Sequence, residues 1–418
     1  MRSLHYALAS LLCLGMAQIS WADESAGKDK PKQDKKVSSE EINRLVEQLG
    51  DDDFTKRTEA RKKLEAIGEP AVSALKKAVE TATDVEIRSA AKAILEVFDK
   101  KNSGLVRSFE GHGERVNGVA ISSDGKRALS ACWDGVLRHW NLENGELVRE
   151  MGRRTAVLNS VALAPDGKRA LTSSADRSMY LWDLESGKML RAFQGHNNTL
   201  WDVAYSPDGK KALSGSSDGT ARLWEVDSGK ELRVIEAQKG GRVWTVAFTA
   251  DGKQAITGSG NLLDRQPRTE GYLRLWDLAT GKEVRQFKGH TKDIRRVAIS
   301  PDGKQLLSGS FDGTMRLWDI ESGKEIQRFD GPGHFVESVA FTPDGKRAIC
   351  CYGPRNQEKV YDGDPSCSLR LWDLATGKEV KQIKGHLGPV LAVAISNDGR
   401  FVVSGSADAT MRLWQLPK

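Results

Sequence analysis

The chain has 418 residues, room for one large and one small domain. A hydrophobic fraction of 39% with 41 Gly suits many short, half-buried strands joined by tight turns. The net charge of +6 is spread along the chain, and no basic stripe is interleaved with aromatics, which argues against a nucleic-acid partner.

Residues 1–22 read as an export signal. Arg2 supplies the positive start, Ala7 to Ala17 an apolar core, and Ser20-Trp21-Ala22 the small residues that a signal peptidase reads. The apolar run is too short for a stable membrane span in the mature chain. Cys13 follows Leu12, where a lipid anchor needs a small residue, so no lipidation is expected. The expected location is therefore exported, periplasmic or extracellular. Residues 23–37 are rich in Lys, Asp, Gly and Pro and read as a charged linker without structure.

A helical period begins at Ser38. Ser38 and Glu41 form a capping box ahead of the stripe Ile42, Leu45, Val46 and Leu49. Asp51-Asp52-Asp53 ends that helix and can cap a second one carrying Ala60, Leu64 and Ile67. After Gly68-Glu69-Pro70, a third carries Val72, Leu75 and Val79. Asp84 starts a fourth, with Ile87, Ala90, Ala91, Ile94, Leu95 and Phe98. On the stretch LGDDDFTKRTEARKKLEAIGEPAVSALKKAV, this four-helix module over 38–101 resembles HEAT-like repeats. The resemblance implies a small binding module; a plain spacer is the alternative.

The remainder, 104–418, repeats one unit. It appears as His139-Trp140-Asn141-Leu142, Leu181-Trp182-Asp183-Leu184, Leu223-Trp224-Glu225-Val226, Leu275-Trp276-Asp277-Leu278, Leu317-Trp318-Asp319-Ile320, Leu371-Trp372-Asp373-Leu374 and Leu413-Trp414-Gln415-Leu416. Successive Trp lie 42, 42, 52, 42, 54 and 42 residues apart. A period of about 40–45 with a Trp-Asp signature marks a four-stranded propeller blade. This stretch resembles a seven-bladed WD40 β-propeller, so the expected fold is mainly β with a small α-helical domain in front. Leu105 to Phe109 has the pattern of Glu283 to Phe287, an outermost strand, and no such strand follows Trp414. Leu105 to Phe109 should therefore close the last blade and remove an open edge.

The WD40 resemblance implies a buried tetrad of His, Ser or Thr, Asp and Trp in each blade. Matching sets are His112, Ser130, Asp134 and Trp140; His196, Ser214, Asp218 and Trp224; His290, Ser308, Asp312 and Trp318; and His386, Ser404, Asp408 and Trp414. The second repeat keeps Thr172, Asp176 and Trp182 but has Arg154 in place of His. The fourth has Lys239 and Thr257, the sixth Pro332 and Cys350. Recurrence at repeat spacing argues against reading these groups as a hydrolase centre. His139 and His334 sit in no metal-ligand spacing, and no phosphate-binding Gly loop or nucleophile elbow is present. No catalytic residue, metal or cofactor is expected.

The resemblance also implies that partners use the face bearing the Gly-His loops. One position near the start of each inner strand borders the central opening: Asn117, Asn159, Trp201, Trp244, Arg295, Glu337 and Leu391. Trp133, Trp201 and Trp244 are neither repeat-unit nor signal Trp. With Arg242, Arg295, Phe311 and Phe335 they form the candidate partner site, since Trp and Arg dominate interface hot spots. Packing between blades is the competing reading of these Trp.

Insertions around Asn261 to Gly271 and Tyr352 to Cys367 fall on the same face. Cys350 or Cys351 could bridge to Cys367, or all could stay thiols. The expected function is a monomeric, non-catalytic interaction scaffold for a protein or peptide. The alternative is a propeller enzyme or ligand or ion sensor acting through the central opening and the inserted loops, with Asp264, Asp362 and Asp364 as its polar groups.

Overall fold

The computed structural model describes residues 37–152, 156–261, 271–353 and 367–417. The export signal, most of the linker, Arg154, Asp264, Asp362 and Asp364 lie outside the described residues.

Four α-helices come first: α1 Ser39–Glu47, α2 Phe54–Ile67, α3 Val72–Thr81 and α4 Val85–Ser103. Short polar side chains start three of them by accepting amide hydrogens that the first turn leaves without a partner. Ser38 Oγ accepts from the Glu41 amide at 3.2 Å, Asp53 from Thr55 at 2.7 Å and Asp84 from Glu86 at 2.6 Å. The apolar stripes converge on a core of their own, in which Leu49, Leu64, Leu75, Ala91 and Ile94 are buried.

Helix α4 runs directly into the first strand, Leu105–Phe109. Gly104 makes the turn at φ 74°, and its carbonyl accepts the Gln415 amide at 2.7 Å. A Cβ there would sit 2.6 Å from the Gln415 carbonyl oxygen, so only Gly fits.

Seven four-stranded antiparallel sheets follow, numbered here as blades 1 to 7 by Trp140, Trp182, Trp224, Trp276, Trp318, Trp372 and Trp414. Blade 5 shows the plan, from the inside outward: Ile294–Ile299, Gln305–Ser310, Thr314–Asp319 and Glu325–Asp330. Six blades use four consecutive strands. Blade 7 takes its outermost strand from Leu105–Phe109, with Phe109 opposite Met411 and Arg107 opposite Leu413. The ring is thus closed by pairing the two ends of the domain, as the strand pattern predicts.

The core lies between blades. Trp318 of blade 5 is fully buried against Ile256, Leu273 and Phe287 of blade 4. Removing such a side chain costs about 3–5 kcal/mol. The second strand of each blade is covered on both faces, so it reads as an unbroken buried run, and small residues let neighbours approach. At Gly309, a Cβ would come 2.6 Å from Val336 Cγ1 of the next blade.

Two polar devices complete the frame. The Asp of each Trp-Asp unit holds the turn into the fourth strand: Asp319 Oδ1 accepts from the Ser322 amide at 2.7 Å, and Asp277 does the same with Thr280. Arginines on four of the fourth strands then staple a blade to the next by donating to its turn carbonyls. Arg107 reaches Asn144 at 2.7 Å, Arg191 reaches Asp227 at 2.7 Å and Arg285 reaches Ile320 at 2.8 Å.

The structure leaves Cys132, Cys350 and Cys351 as buried free thiols. The bridge from Cys350 or Cys351 to Cys367 is therefore not adopted. Among the described residues no helix is long and apolar enough to cross a membrane.

Candidate functional site: the mouth of the central opening

The four polar tetrads differ in completeness. In blade 5, Trp318 Nε1 donates to Ser308 Oγ at 2.8 Å, His290 Nε2 meets the same oxygen at 2.7 Å, and His290 Nδ1 meets Asp312 at 2.7 Å. Blades 3 and 7 repeat this chain through His196 and Asp218, and through His386 and Asp408. Blade 1 does not. His112 Nε2 reaches Ser130 at 2.8 Å, but its Nδ1 does not meet Asp134, which is turned to Arg138 at 2.8 Å.

Where His is absent, other groups fill in. In blade 2, the Tyr180 hydroxyl donates to Asp176 at 2.6 Å and Trp182 still donates to Thr172. In blade 4 Trp276 donates to Thr257 at 2.9 Å. In blade 6 Trp372 donates to the Cys350 sulfur at 3.1 Å, a weaker acceptor. Each His is tied to its own Ser inside a blade. His112, His196, His290 and His386 and their Ser partners are all buried.

The mouth of the opening is built by seven β-bulges. Each inner strand shifts register at one residue: between Val116 and Gly118, Leu158 and Ser160, Leu200 and Asp202, Val243 and Thr245, Ile294 and Arg296, Val336 and Ser338, and Val390 and Ala392. The residue inside each shift is Asn117, Asn159, Trp201, Trp244, Arg295, Glu337 or Leu391. These are the seven positions that sequence alignment of the repeats assigns to the opening; six line it, whereas Asn159 is buried and donates to the Leu200 carbonyl at 2.8 Å. A bulge re-aims a side chain that regular pairing would send into a blade interface.

Four of the predicted aromatics form a ladder across blades 3 to 6. Trp201 and Trp244 have ring centroids 4.6 Å apart, Trp244 and Phe311 6.0 Å, and Phe311 and Phe335 4.5 Å. Hydrogen bonds orient both indoles: Trp201 Nε1 donates to Ser217 at 2.6 Å, and Trp244 Nε1 donates to Asp293 at 2.9 Å. Trp201, Phe311 and Phe335 are half-buried, whereas Trp244 is 8% exposed. The rings thus pack mainly on one another at the opening.

Two predicted arginines lie over this ladder. Arg295 stands 4.8 Å from the Trp244 centroid and Arg242 stands 5.2 Å from it, within reach of a cation–π attraction. Arg295 Nε also donates to Glu337 at 3.0 Å. Trp133 stands apart from the ladder in blade 1 with Arg115 over its ring, but lines the same opening of about 370 Å³. Phe335 lies at the outer end of the ladder and does not line that opening.

Arg115 was missed by the sequence reading, although it occupies the repeat position of Arg242, two residues before the bulge residue of its inner strand. The alignment that singles out Arg242 contains that signal. Burial, and then the charge of Arg295, pulls Arg115 below the usual guanidinium range, and burial does the same to Arg242. Among the described residues, no group of three or more His, Cys, Asp or Glu is arranged to hold a metal ion.

Comparison with known proteins agrees with this architecture. The family model WD40, described as "WD domain, G-beta repeat", matches residues 103–141, 145–183, 187–225, 229–277, 281–319 and 377–415. The first three strands of blade 6, Phe335–Phe341, Arg347–Gly353 and Leu369–Asp373, fall outside these matches; that blade also carries Cys350 and the second insertion.

The chain is 42% identical over 59 residues to the serine-threonine kinase receptor-associated protein of Gallus gallus, covering 14% of this chain and 17% of that one. It is 32% identical over 168 residues to the nuclear distribution protein PAC1 of Arthroderma otae, covering 38% and 36%. It is 25% identical over 155 residues to the guanine nucleotide-binding protein subunit beta of Oryza sativa subsp. japonica, covering 35% and 39%. The matches span less than two fifths of the length of each of these curated relatives. With six repeats matched over more than half of its length, and seven blades closed into a ring, this chain belongs to the WD40 family.

Proposed function

We propose that this protein is an exported, non-catalytic scaffold that presents the mouth of its propeller to a protein or peptide partner. The observation that carries this reading is the aromatic ladder Trp201, Trp244, Phe311 and Phe335, overlaid by Arg242 and Arg295, with Trp201, Trp244 and Arg295 set at bulges. Such residues bury much area with few rotors, so a partner gains contact without a large ordering cost. A rigid ring also loses little entropy on binding. The export reading rests on Arg2, the apolar run Ala7 to Ala17 and Ser20-Trp21-Ala22. The helical module, with its own core, offers a second contact surface.

Affinity capture from envelope extract tests this, with the full mature chain and a Trp201→Ala, Trp244→Ala, Arg295→Ala variant side by side. Circular dichroism reports whether the variant is folded. A partner held by the native chain and lost by the folded variant supports the reading. Equal capture by both removes the mouth as the partner site.

A further inference from the structure

Among the described residues, two cations at the mouth have no hydrogen-bonded counter-charge. Arg115 and Arg242 occupy the same repeat position in blades 1 and 4 and are both half-buried. Arg115 stacks on Trp133, and Arg242 lies over Trp201 and Trp244 at 5.7 and 5.2 Å. Neither has an ion pair or donates a hydrogen bond among the described residues, and Arg242 Nε is fully buried without an acceptor. A guanidinium carries five N–H donors in a fixed fork, so a half-buried one left unpaired forgoes charge-assisted bonds.

The neighbouring Arg295 shows what satisfies such a group here. Its Nε donates to the Glu337 carboxylate at 3.0 Å within the same opening. Asp293 acts on Arg242 through space, while its carboxylate accepts from Trp244 Nε1. The mouth therefore contains one completed guanidinium–carboxylate pair and two incomplete ones.

We propose that the mouth seats an acidic peptide segment, whose side-chain carboxylates complete Arg115 and Arg242 while its apolar groups lie on Trp201 and Trp244. This rests on the reading of the mouth as the partner site. An opening of about 370 Å³, with a ladder running on to Phe335, takes more than a single small anion. Asp293 and Glu337 at the rim repel a phosphate dianion more than a carboxylate, which favours carboxylates.

The test uses the purified full chain and a dye-labelled octapeptide of alternating Glu and Leu, read by fluorescence anisotropy. The control peptide has Gln in place of Glu. The Glu peptide is expected to bind saturably and to weaken with salt, with the Gln peptide weaker by about tenfold or more. Arg115→Gln and Arg242→Gln, made singly and together, are expected to weaken the Glu peptide by about tenfold with unchanged circular dichroism.

Equal binding of both peptides, no saturation by about 1 mM, or folded arginine variants that bind like the native chain would overturn the proposal. Displacement of the peptide by inorganic phosphate, at a concentration where acetate leaves it bound, would also overturn the carboxylate assignment. The two readings fail separately. Partner capture lost in the Trp201→Ala, Trp244→Ala, Arg295→Ala variant, with no binding of the Glu peptide, keeps the mouth and removes the acidic ligand. Equal capture by variant and native chain removes the mouth itself.

Discussion

Arg296 of blade 5 reaches past blade 4 and places its Nη1 2.5 Å from Asp202 Oδ1 of blade 3. The same carboxylate accepts from Ser160 of blade 2 at 2.7 Å, and from the Thr245 hydroxyl and Val246 amide of blade 4 at 2.9 and 3.1 Å. One carboxylate thus joins four blades on the inner side of the ring. Asp202 is 3% exposed, so these donors take the place of water around its carboxylate.

Asp202→Ala should destabilise the propeller by about 3–5 kcal/mol, since it strips four donors of one acceptor. Arg296→Ala should cost less, because Asp202 keeps three donors and the Arg296 side chain is 22% exposed. Urea unfolding of both variants measures this, and a larger loss for Arg296→Ala would contradict the assignment.

Arg177 and Ala409 hold φ of 74° and 62° in the turn where Gly135, Gly219 and Gly313 stand in other blades. A side chain in that region is strained. Ala409→Gly should raise stability by about 0.5–1 kcal/mol, the released strain exceeding the added freedom of the unfolded chain. Gly313→Ala should lower it by about 1 kcal/mol. Thermal midpoints of the two variants should move in opposite directions.

Acid should weaken the fold in two stages. Burial, followed by the charge of Arg138, pushes the His112 pKa down from 6.5 to about 4, and burial also lowers His290 and His386. The unfolded chain binds a proton near pH 6.5 that folded His112 refuses until about pH 4. Stability is therefore full above pH 6.5 and is lost as pH falls through that window, by about 3 kcal/mol for His112. Burial raises the Asp134 pKa, but Arg138 and the Gly113 amide outweigh it and hold the carboxyl at about 2. That contribution is present above pH 3.8 and is lost from there toward pH 2. Urea midpoints against pH should show both stages, and His112→Gln should flatten the upper one.

The buried thiols should be inert in the folded chain. Burial pushes Cys132 up to about 11, Cys350 up to about 12 and Cys351 well above the ordinary thiol range. The thiolate is the reactive form, so little is present at pH 8. Mass spectrometry after iodoacetamide should show these three unmodified in the native protein and modified in urea.

Much of the site was legible because the repeats can be laid on one another. That register placed Trp201, Trp244 and Arg295 at the opening, and three of the seven bulges lie at those positions. The tetrad in blade 1 was less legible. Sequence placed Asp134 opposite His112, yet the carboxylate chooses Arg138, a competition between two cationic or donor groups that depends on side-chain reach. Tyr180 stands where the other six repeats have Arg two residues before the Trp, and its hydroxyl donates to Asp176, a bond that the residue type alone does not announce.

The sequence by itself determined the blade count, the closing strand and the helix starts, because these depend on local patterns. Strand alternation and capping side chains act within a few residues, and the Trp spacing repeats one such local pattern along the chain. Only the tertiary structure decided that Asp202 is shared by four blades, that Arg107, Arg191 and Arg285 staple successive blades, and that Arg115 and Arg242 converge unpaired on one mouth. Those relationships join residues tens of positions apart, and their energy comes from charges and donors sharing a space that exists only once the ring is closed.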